Sequence, residues 1–169
     1  MNKIEIAVDM DEVVVAFMEY ARGFFKLPIP EGVKIPQEQW NKLSDNPHLF
    51  RDLPVKEGAY ELIDWLRNFQ KITDCELYFL SALPSKNEVK FAAQDKVHWA
   101  NKYFPDIPVV IGPYSHDKQK QCSGNHCILI DDRLVNCNEW VEAGGRAHQY
   151  KEWGECKVWL EKELGHLIQ

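Results

Sequence analysis

The chain has 169 residues, of which 45% are hydrophobic and 27% charged, as is typical of one globular domain with a hydrophobic core. Its net charge of −6 argues against a nucleic-acid polymer as partner, because such binding depends on basic patches. No apolar run approaches the roughly 20 residues of a membrane-spanning helix, so we expect no membrane partner. Acidic residues come too early for a signal peptide, and the cysteine count of 5 is odd, which favours reduced thiols in a cytoplasmic protein.

The predicted elements alternate between short apolar strands and longer amphipathic helices. In chain order they are strand 3–10, helix 57–69, strand 75–82, helix 87–104, strand 107–112, strand 126–132, helix 136–143, strand 146–150 and helix 153–167. The strands are rich in branched and aromatic residues, whereas the helices repeat apolar residues at helical spacing. This alternation predicts an α/β fold, a Rossmann-like parallel sheet with helices on both faces.

Helical spacing also predicts which residues of the helices face the core. In helix 57–69 they are Ala59, Leu62, Ile63, Leu66 and Phe69. In helix 87–104 they are Val89, Ala93, Val97, Ala100 and Phe104. In helix 153–167 they are Cys156, Trp159, Leu160, Leu164 and Leu167. We expect the glycine pair at 144–145 to end helix 136–143, since glycine suits the left-handed residue past a helix.

The segment between the first strand and helix 57–69 breaks the alternation. Residues 17–55 are rich in proline around 28–36 and then continue into "EQWNKL". We predict a small, mostly helical cap at 17–55, and a core domain formed by residues 1–16 and 56–169. Ligands of open α/β sheets bind at the carboxyl ends of the strands, so this insertion would lie over the site as a lid.

Two pairs of aspartates stand where predicted strands end. Asp9 and Asp11 follow the first strand, and Asp131 and Asp132 follow the strand "CILIDD". If the strands are parallel neighbours, the carboxylates converge and repel one another. Mg²⁺ prefers oxygen ligands and would relieve this repulsion. Acids at strand ends can also cap helices or face solvent, but two such pairs favour a metal site.

Further residues are candidates for binding a phosphate group. Ser81 ends the strand "LYFLSA" and precedes a helix, so its hydroxyl and nearby N–H groups are suitable donors. Lys118 precedes the strand that ends at Asp131, and Lys120 is a close rival on spacing. Lys86 is a second candidate phosphate contact, with a surface position as the alternative.

In this order, "VDMDEVV", "FLSALP", "HDKQ" and "LIDDR" resemble the motifs of the haloacid dehalogenase-like (HAD-like) superfamily of phosphotransferases. The match covers roughly residues 3–15 and 57–150. It looks most like the 5′(3′)-deoxyribonucleotidase branch, including its bacterial and phage-type 5′-nucleotidases, which carry a small helical cap after the first motif. Glu12 departs from the family pattern, which more often has glycine there.

The resemblance implies a mechanism for these residues. Asp9 would be the nucleophile that forms an aspartyl-phosphate, and Asp11 the general acid and then the general base. Mg²⁺ would be held by Asp9, the backbone carbonyl of Asp11, and Asp131 or Asp132, of which we favour Asp131. Arg133 is expected to fix one of the paired aspartates through a bidentate contact.

Aromatic residues of the cap indicate the kind of substrate. Phe17 falls where the resembling family has an aromatic residue that packs on the nucleobase, and Trp40 and Phe50 are further candidates for this base pocket. The alternative is that these residues, like Phe24 and Phe25, form the small core of the cap.

The leading hypothesis is a Mg²⁺-dependent phosphomonoesterase that acts on (deoxy)nucleoside 5′-monophosphates. One alternative keeps the chemistry but uses another small phosphomonoester, such as a sugar phosphate. Another is a non-catalytic nucleotide- or metal-binding module. A zinc site is a third, suggested by Cys122, His126 and Cys127 with Cys137 and His116 nearby. The sequence leaves the oligomeric state open, a homodimer included.

Overall fold

The computed structural model of the protein describes residues 3–26, 35–85, 87–112 and 114–167. At its centre lies a five-stranded sheet in which every neighbouring pair of strands is parallel. The strands are β1 (Glu5–Val8), β2 (Glu76–Ala82), β3 (Val109–Gly112), β4 (Cys127–Asp131) and β5 (Arg146–Gln149). Their spatial order is β3-β2-β1-β4-β5. The predicted α/β fold with a Rossmann-like parallel sheet is therefore confirmed.

The strand order reverses between β1 and β4. The chain builds the sheet outwards from β1 to β3 and then returns to place β4 on the other side of β1. Such a switch point is where open α/β sheets bind ligands. Val8 pairs with Ile130, and the N–H of Asp9 donates to the carbonyl O of Ile130 at 2.8 Å. Asp9 and Asp131 therefore leave the sheet side by side.

Helices cover both faces of this sheet. They are α1 (Phe17–Phe25), α2 (Gln37–Ser44), α3 (Ala59–Thr73), α4 (Ala92–Tyr103), α5 (Leu134–Glu142) and α6 (Trp153–Leu164), with 3-10 helices at Ser115–Gln121 and Gly165–Leu167. Helices α3, α4 and α6 share a hydrophobic cluster with Ile6 and Val8 of β1. On the other face, Trp140 of α5 packs with Ala7 and Leu129.

The predicted apolar faces of α3 and α6 agree well with the structure. All five predicted residues of α3 are buried, and in α6 Cys156, Leu160 and Leu164 are buried. Leu167 lies beyond α6 and is 38% exposed. Helix α5 ends before the glycine pair, and Gly144 has a φ of 95°, as expected for the residue past a helix.

The apolar face predicted for α4 is wrong in part, since Val97 is 37% exposed. The buried face of α4 consists of Ala92, Asp95, Lys96, Trp99 and Ala100. These positions also follow helical spacing, but two of them are charged, and charged residues are rarely buried unless they are paired. Asp95 is paired, because its carboxylate lies 3.1 Å from Nδ1 of His48.

A tight turn after β1 brings Asp11 to the same cavity as Asp9. The backbone N–H groups of residues 13–15 all donate to the carbonyl O of Met10. Within this turn Glu12 has a φ of 64°, in the left-handed region that glycine adopts without cost. This conformation gives a physical reason for the glycine that the resembling family more often has at this position.

The backbone of Glu12 is strained, but its side chain stabilises the same turn. Oε1 accepts a hydrogen bond from the N–H of Met18 at 2.7 Å, in the first turn of α1. The N-cap residue of that helix, Ala16, has no side-chain cap, so Glu12 serves in its place. Oε2 lies 3.1 Å from Nζ of Lys56. Glu12 therefore joins the turn to α1 and to the segment before α3.

Helices α1 and α2 lie between β1 and α3, inside the segment predicted as a cap. Phe17, Leu43 and Phe50 belong to the same hydrophobic cluster as the sheet. The described part of the segment thus packs on the main core, and the boundaries at 16/17 and 55/56 stay a prediction. Residues 27–34 lie outside the described residues. In the described ranges, no helix is both long and apolar enough to cross a membrane.

Candidate active site

A buried lysine joins the two acidic strand ends. Nζ of Lys118 lies 2.7 Å from Oδ1 of Asp9 and 2.7 Å from Oδ2 of Asp131. All three side chains are buried. Lys118 comes from the 3-10 helix Ser115–Gln121, which precedes β4. The acids at the ends of β1 and β4 therefore converge, as the sequence predicts.

Asp131 is fixed by several donors besides Lys118. Nδ2 of Asn136 donates to both of its oxygens, at 2.9 and 3.0 Å. The backbone N–H of Arg133 donates to Oδ1 at 2.9 Å. The expected bidentate contact of the Arg133 guanidinium is wrong, because that group donates to Oγ of Ser115 at 2.7 Å. These bonds occupy both oxygens of Asp131 and hold it in place against Lys118.

Asp132 is more accessible than Asp131. It lines the adjoining cavity, and no hydrogen bond or ion pair to its carboxylate is found within the part of the chain that the structure describes. Burial raises the pKa of Asp132 to about 8, and the carboxylates of Asp9 and Asp131 add to the rise. Of the paired aspartates, Asp132 thus has the free oxygens for an ion.

The three carboxylates make a donor set that fits a hard cation. One oxygen each from Asp9, Asp131 and Asp132 lies within 4.8 Å of the others. Burial also raises the pKa of Asp9 to about 6; Lys118 opposes this rise, while Asp131 and Asp11 add to it. The anions destabilise one another, and a divalent cation with a preference for oxygen would relieve that cost.

A second buried lysine, Lys96, was not predicted from the sequence. Its Nζ lies 2.5 Å from Oδ2 of Asp11 and donates to Oγ of Ser81 at 3.0 Å. It also lies 4.4 Å from the ring centroid of Phe50. The buried ammonium group of Lys96 therefore holds the partly exposed side chain of Asp11 in place. The available signal was its helical spacing with Trp99 and Ala100, which places it on the buried face of α4.

The structure separates the candidates for a phosphate-binding role. Lys120 is exposed and pairs with Asp117, whereas Lys118 is buried and lines the cavity. Ser81 is fully buried and does not line the cavity. Lys86 lies outside the described residues.

A cavity of about 490 Å³ adjoins the carboxylates, and Asp9, Asp11 and Asp132 line it. Phe17, Trp40 and Phe50 line it too. The ring of Phe17 meets Trp40 edge-on at 5.5 Å and stacks with Phe50 at 5.8 Å. Because Phe17 and Phe50 are also buried in the core, they serve both the core and the cavity wall. Polar side chains complete the lining, among them Ser115, His116, Arg133, Asn136 and Glu139.

The residues of the alternative zinc site do not form one cluster. Sγ of Cys137 lies 3.6 Å from the carbonyl O of Asp131, and His116 lines the cavity. Cys122, His126 and Cys127 lie instead before or at the start of β4, at the other end of the sheet. The five residues together are therefore not a zinc site.

The fold is similar to that of known hydrolases. A hydrolase from Streptococcus pneumoniae TIGR4 has a TM-score of 0.51 and 12% sequence identity, over 95% of this chain and 100% of that chain. A HAD-superfamily hydrolase from Ehrlichia chaffeensis has a TM-score of 0.48 and 12% identity, over 100% of both chains. A HAD-family enzyme variant from Bacteroides thetaiotaomicron, in complex with magnesium and inorganic phosphate, has a TM-score of 0.47 and 13% identity, over 92% and 99%.

No family model and no curated relative matches the chain. At 12% identity, the likeness to the streptococcal hydrolase shows the fold alone. The chemistry has to be argued from the residues of this chain.

Proposed function

We propose that this protein is a Mg²⁺-dependent phosphomonoesterase of the HAD-like superfamily that hydrolyses (deoxy)nucleoside 5′-monophosphates. The observation that carries the proposal is the meeting of Asp9, Asp131 and Asp132 oxygens within 4.8 Å of one another. They meet at the switch point of a parallel sheet, beside a cavity that Asp11 also lines. Acidic residues converging on such a cavity are suited to phosphoryl transfer.

The carboxylates of Asp9 and Asp132 are the groups that would hold Mg²⁺, and the fully buried carboxylate of Asp131 lies next to them. We also assign the backbone carbonyl of Asp11 to this ligand set. When bound, the ion would screen the repulsion between an anionic nucleophile and an anionic phosphate.

In the first step, an oxygen of the Asp9 carboxylate attacks phosphorus and forms an aspartyl-phosphate. The bond between phosphorus and the ester oxygen breaks, and that oxygen takes a proton from Asp11 as the nucleoside leaves. Lys118 lies 2.7 Å from Asp9 and favours its ionised form. Lys96 holds Asp11 toward the cavity through its bond to Oδ2.

In the second step, Asp11 has become a carboxylate and removes a proton from water. The water oxygen attacks phosphorus, the acyl-phosphate bond breaks, and Asp9 and inorganic phosphate are released. The two aspartates thus return to their starting protonation states, and the net reaction is hydrolysis of one phosphate ester.

The aromatic wall supports a nucleotide as the substrate. Phe17, Trp40 and Phe50 line the same cavity as the acids, and their rings offer faces and edges for a base. Stacking of a base on an aromatic ring contributes roughly 1–3 kcal/mol. A sugar phosphate would leave this apolar wall uncovered.

The test is a panel of phosphate monoesters assayed at fixed Mg²⁺ for release of inorganic phosphate. Deoxyribonucleoside and ribonucleoside 5′-monophosphates are compared with ribose 5-phosphate and glycerol phosphate. We expect kcat/KM for the best nucleotide to exceed that for ribose 5-phosphate by at least about fivefold, from the stacking energy. Equal activity across the panel would contradict the nucleotide, and no Mg²⁺-dependent activity would contradict the enzyme.

A further inference from the structure

A second group of metal-binding side chains lies at the other end of β1 and β4. Glu5 pairs with Cys127 in the parallel register, and its N–H donates to the carbonyl O of His126 at 3.1 Å. Because Glu5 precedes Asp9 on the same extended segment by four residues, this group lies about 13 Å along the strand from the acidic site. The backbone pairing alone sets Glu5 beside Cys127 and His126.

Three of these side chains present their ligand atoms to one another. Nε2 of His126 lies 3.8 Å from Oε1 of Glu5, and Sγ of Cys127 lies 3.8 Å from Oε2 of Glu5. All three ligand atoms lie within 4.8 Å of one another. Bonds of about 2.0–2.3 Å in a tetrahedral zinc site put ligand atoms roughly 3.3–3.8 Å apart. Small side-chain adjustments would therefore close these three groups around one ion.

Cys122 lies next to this group and is the candidate for a fourth ligand. Its side chain packs against the small hydrophobic cluster that contains Cys127. Its Sγ lies 3.7 Å from the carbonyl O of Gly124 and outside the group of three ligand atoms, so it would have to move to join them. The absence of a side chain at Gly145 provides the room, since a Cβ there would lie 2.6 Å from Sγ of Cys122.

The loop before β4 also supplies hydrogen bonds to the sulfur. The N–H of Ser123 donates to Sγ of Cys127 at 3.4 Å. Its hydroxyl lies 3.1 Å from Nε2 of His126 and 3.4 Å from the same sulfur. Ser123 therefore contacts both His126 and Cys127 and holds their side chains near each other.

We propose that Glu5, His126 and Cys127, with Cys122 as the fourth ligand, bind one zinc ion. A set of two thiolates, an imidazole and a carboxylate selects Zn²⁺ over Mg²⁺, whereas the acidic site at the opposite strand ends offers oxygen alone. Both thiols release their protons to solvent on binding. The ion would tie β1 to the loop that follows the 3-10 helix Ser115–Gln121, and so steady the helix that carries Lys118.

The experiment uses Co²⁺ as a spectroscopic probe in the presence of excess Mg²⁺, which occupies the oxygen site. The full-length protein is freed of metal with a chelator, reduced, and titrated with Co²⁺. We expect one equivalent to produce a thiolate-to-cobalt charge-transfer band with tetrahedral visible absorption. An equivalent of Zn²⁺ should then abolish that band. An all-oxygen site gives no such band, so the probe separates the two sites.

Variants test the ligands one by one. Glu5→Gln and His126→Ala are expected to weaken Co²⁺ binding by roughly 10²-fold or more. Cys122→Ala and Cys127→Ala should also reduce the charge-transfer band. Cys75→Ala and His98→Ala are the matched controls and should bind like wild type, because Cys75 belongs to the hydrophobic cluster on the opposite face of the sheet and His98 is an exposed residue of α4. Circular dichroism of each metal-free variant shows whether it folds, and Glu5→Gln changes the least structure because Glu5 is half-buried.

A second readout is thermal stability, because an ion that binds only the folded chain raises its melting temperature. Zn²⁺ at one equivalent should raise the melting temperature of wild type and of Ser123→Ala, which keeps all four ligands, and not that of Glu5→Gln. Folded wild type without a charge-transfer band would overturn the proposal. So would a band that survives in the Cys122→Ala/Cys127→Ala double variant. Phosphatase activity does not enter either readout.

Discussion

The ammonium group of Lys118 lies 2.7 Å from the carboxylate of Asp9 and is buried with it. Burial disfavours the charged form of both groups, yet each stabilises the charge of the other. Although burial lowers it, the neighbouring Asp9 and Asp131 raise the pKa of Lys118 above its ordinary value. Lys118 therefore stays cationic across the neutral range and favours an ionised Asp9, the state that a nucleophile needs.

Replacement of Asp9 by asparagine removes the nucleophile and keeps its shape. We expect Asp9→Asn to lower kcat by about 10⁴-fold or more, because no aspartyl-phosphate can form. Phosphate release and trapping of the phosphorylated protein measure the effect. The matched control is Asp74→Asn, at an exposed residue past α3, which should retain wild-type activity. Full activity of a folded Asp9→Asn protein would rule out the covalent route.

Much of the fold was predictable because its signals are local. Strands β1, β2 and β4 are largely buried and contain apolar runs, so they stand out in the sequence, as do the acids that follow β1 and end β4. Their meeting at one edge follows from parallel pairing alone. The sequence favours Asp131 as the metal ligand, but Asp132 is the freer carboxylate. This was not predictable, because it depends on the contacts that Asp131 makes with Asn136 and with the backbone of Arg133.

Lys96 illustrates what sequence patterns miss. It lies on a helix whose apolar spacing predicted that Val97 is buried, whereas the buried face of that helix includes two charged residues, Asp95 and Lys96. Its burial depends on Asp11, which is 85 residues away in the chain. A partner so distant leaves no local signal. Phe17 and Phe50 differ from Lys96, because the sequence indicates both as candidates for the cavity wall, with a place in the core as the alternative, and their rings occupy both.

Lys96 is predicted to act through Asp11. In Lys96→Met the aliphatic packing is kept, but Asp11 loses the bond that orients it. We expect kcat/KM for a nucleoside monophosphate, which reports the first chemical step, to fall by roughly 10²-fold, as for removal of other oriented charged groups. The loss in kcat/KM should be much smaller for p-nitrophenyl phosphate, whose leaving group needs no proton.

The control for this prediction is Lys102→Met, which changes an exposed lysine of the same helix that pairs with Asp52. It should leave both substrates unaffected. Equal losses in kcat/KM on the two substrates in Lys96→Met would show that Lys96 does not act through the general acid.

Stability of the metal-free protein should fall as pH rises from about 4 to 8. The pKa of Asp9 is raised to about 6 and that of Asp132 to about 8, from an ordinary value of 3.8. Over this window the folded state therefore binds more protons than the unfolded state, so the free energy of unfolding declines with pH. Lys118, with a raised pKa, stabilises the fold throughout and adds no slope there.

Urea unfolding in chelator at pH 5 and pH 8 measures this difference. Asp132→Asn should flatten the dependence, and Mg²⁺ should stabilise wild type more at pH 8 than at pH 5, because the ion competes with protons for the same oxygens. Metal-free wild type that is more stable at pH 8 than at pH 5 would contradict the prediction.

Glu12 combines a strained backbone with a stabilising side chain, and two substitutions separate the effects. Glu12→Ala loses the contacts to Met18 and Lys56 while keeping φ at 64°, so we expect a loss of about 1–2 kcal/mol in the free energy of unfolding. Glu12→Gly loses the same contacts but relieves the strain, by about 1 kcal/mol. The glycine variant should therefore be the more stable of the two, as measured by urea unfolding. The reverse order would mean that the turn is not strained.

Of the three aromatic residues that line the cavity, Trp40 is the least buried. It is half-buried, whereas Phe17 and Phe50 are buried. Trp40→Ala should therefore raise KM for the best nucleoside monophosphate, by roughly 5- to 150-fold if the indole stacks on the base. It should leave kcat/KM for glycerol phosphate within about twofold, because that ester has no base to stack. Trp65→Ala, which removes an indole that stacks on Phe69 of α3, is the control and should change neither value. A parallel loss on both substrates in Trp40→Ala would assign Trp40 to the packing of the cap, whereas a loss confined to the nucleotide would assign it to base recognition.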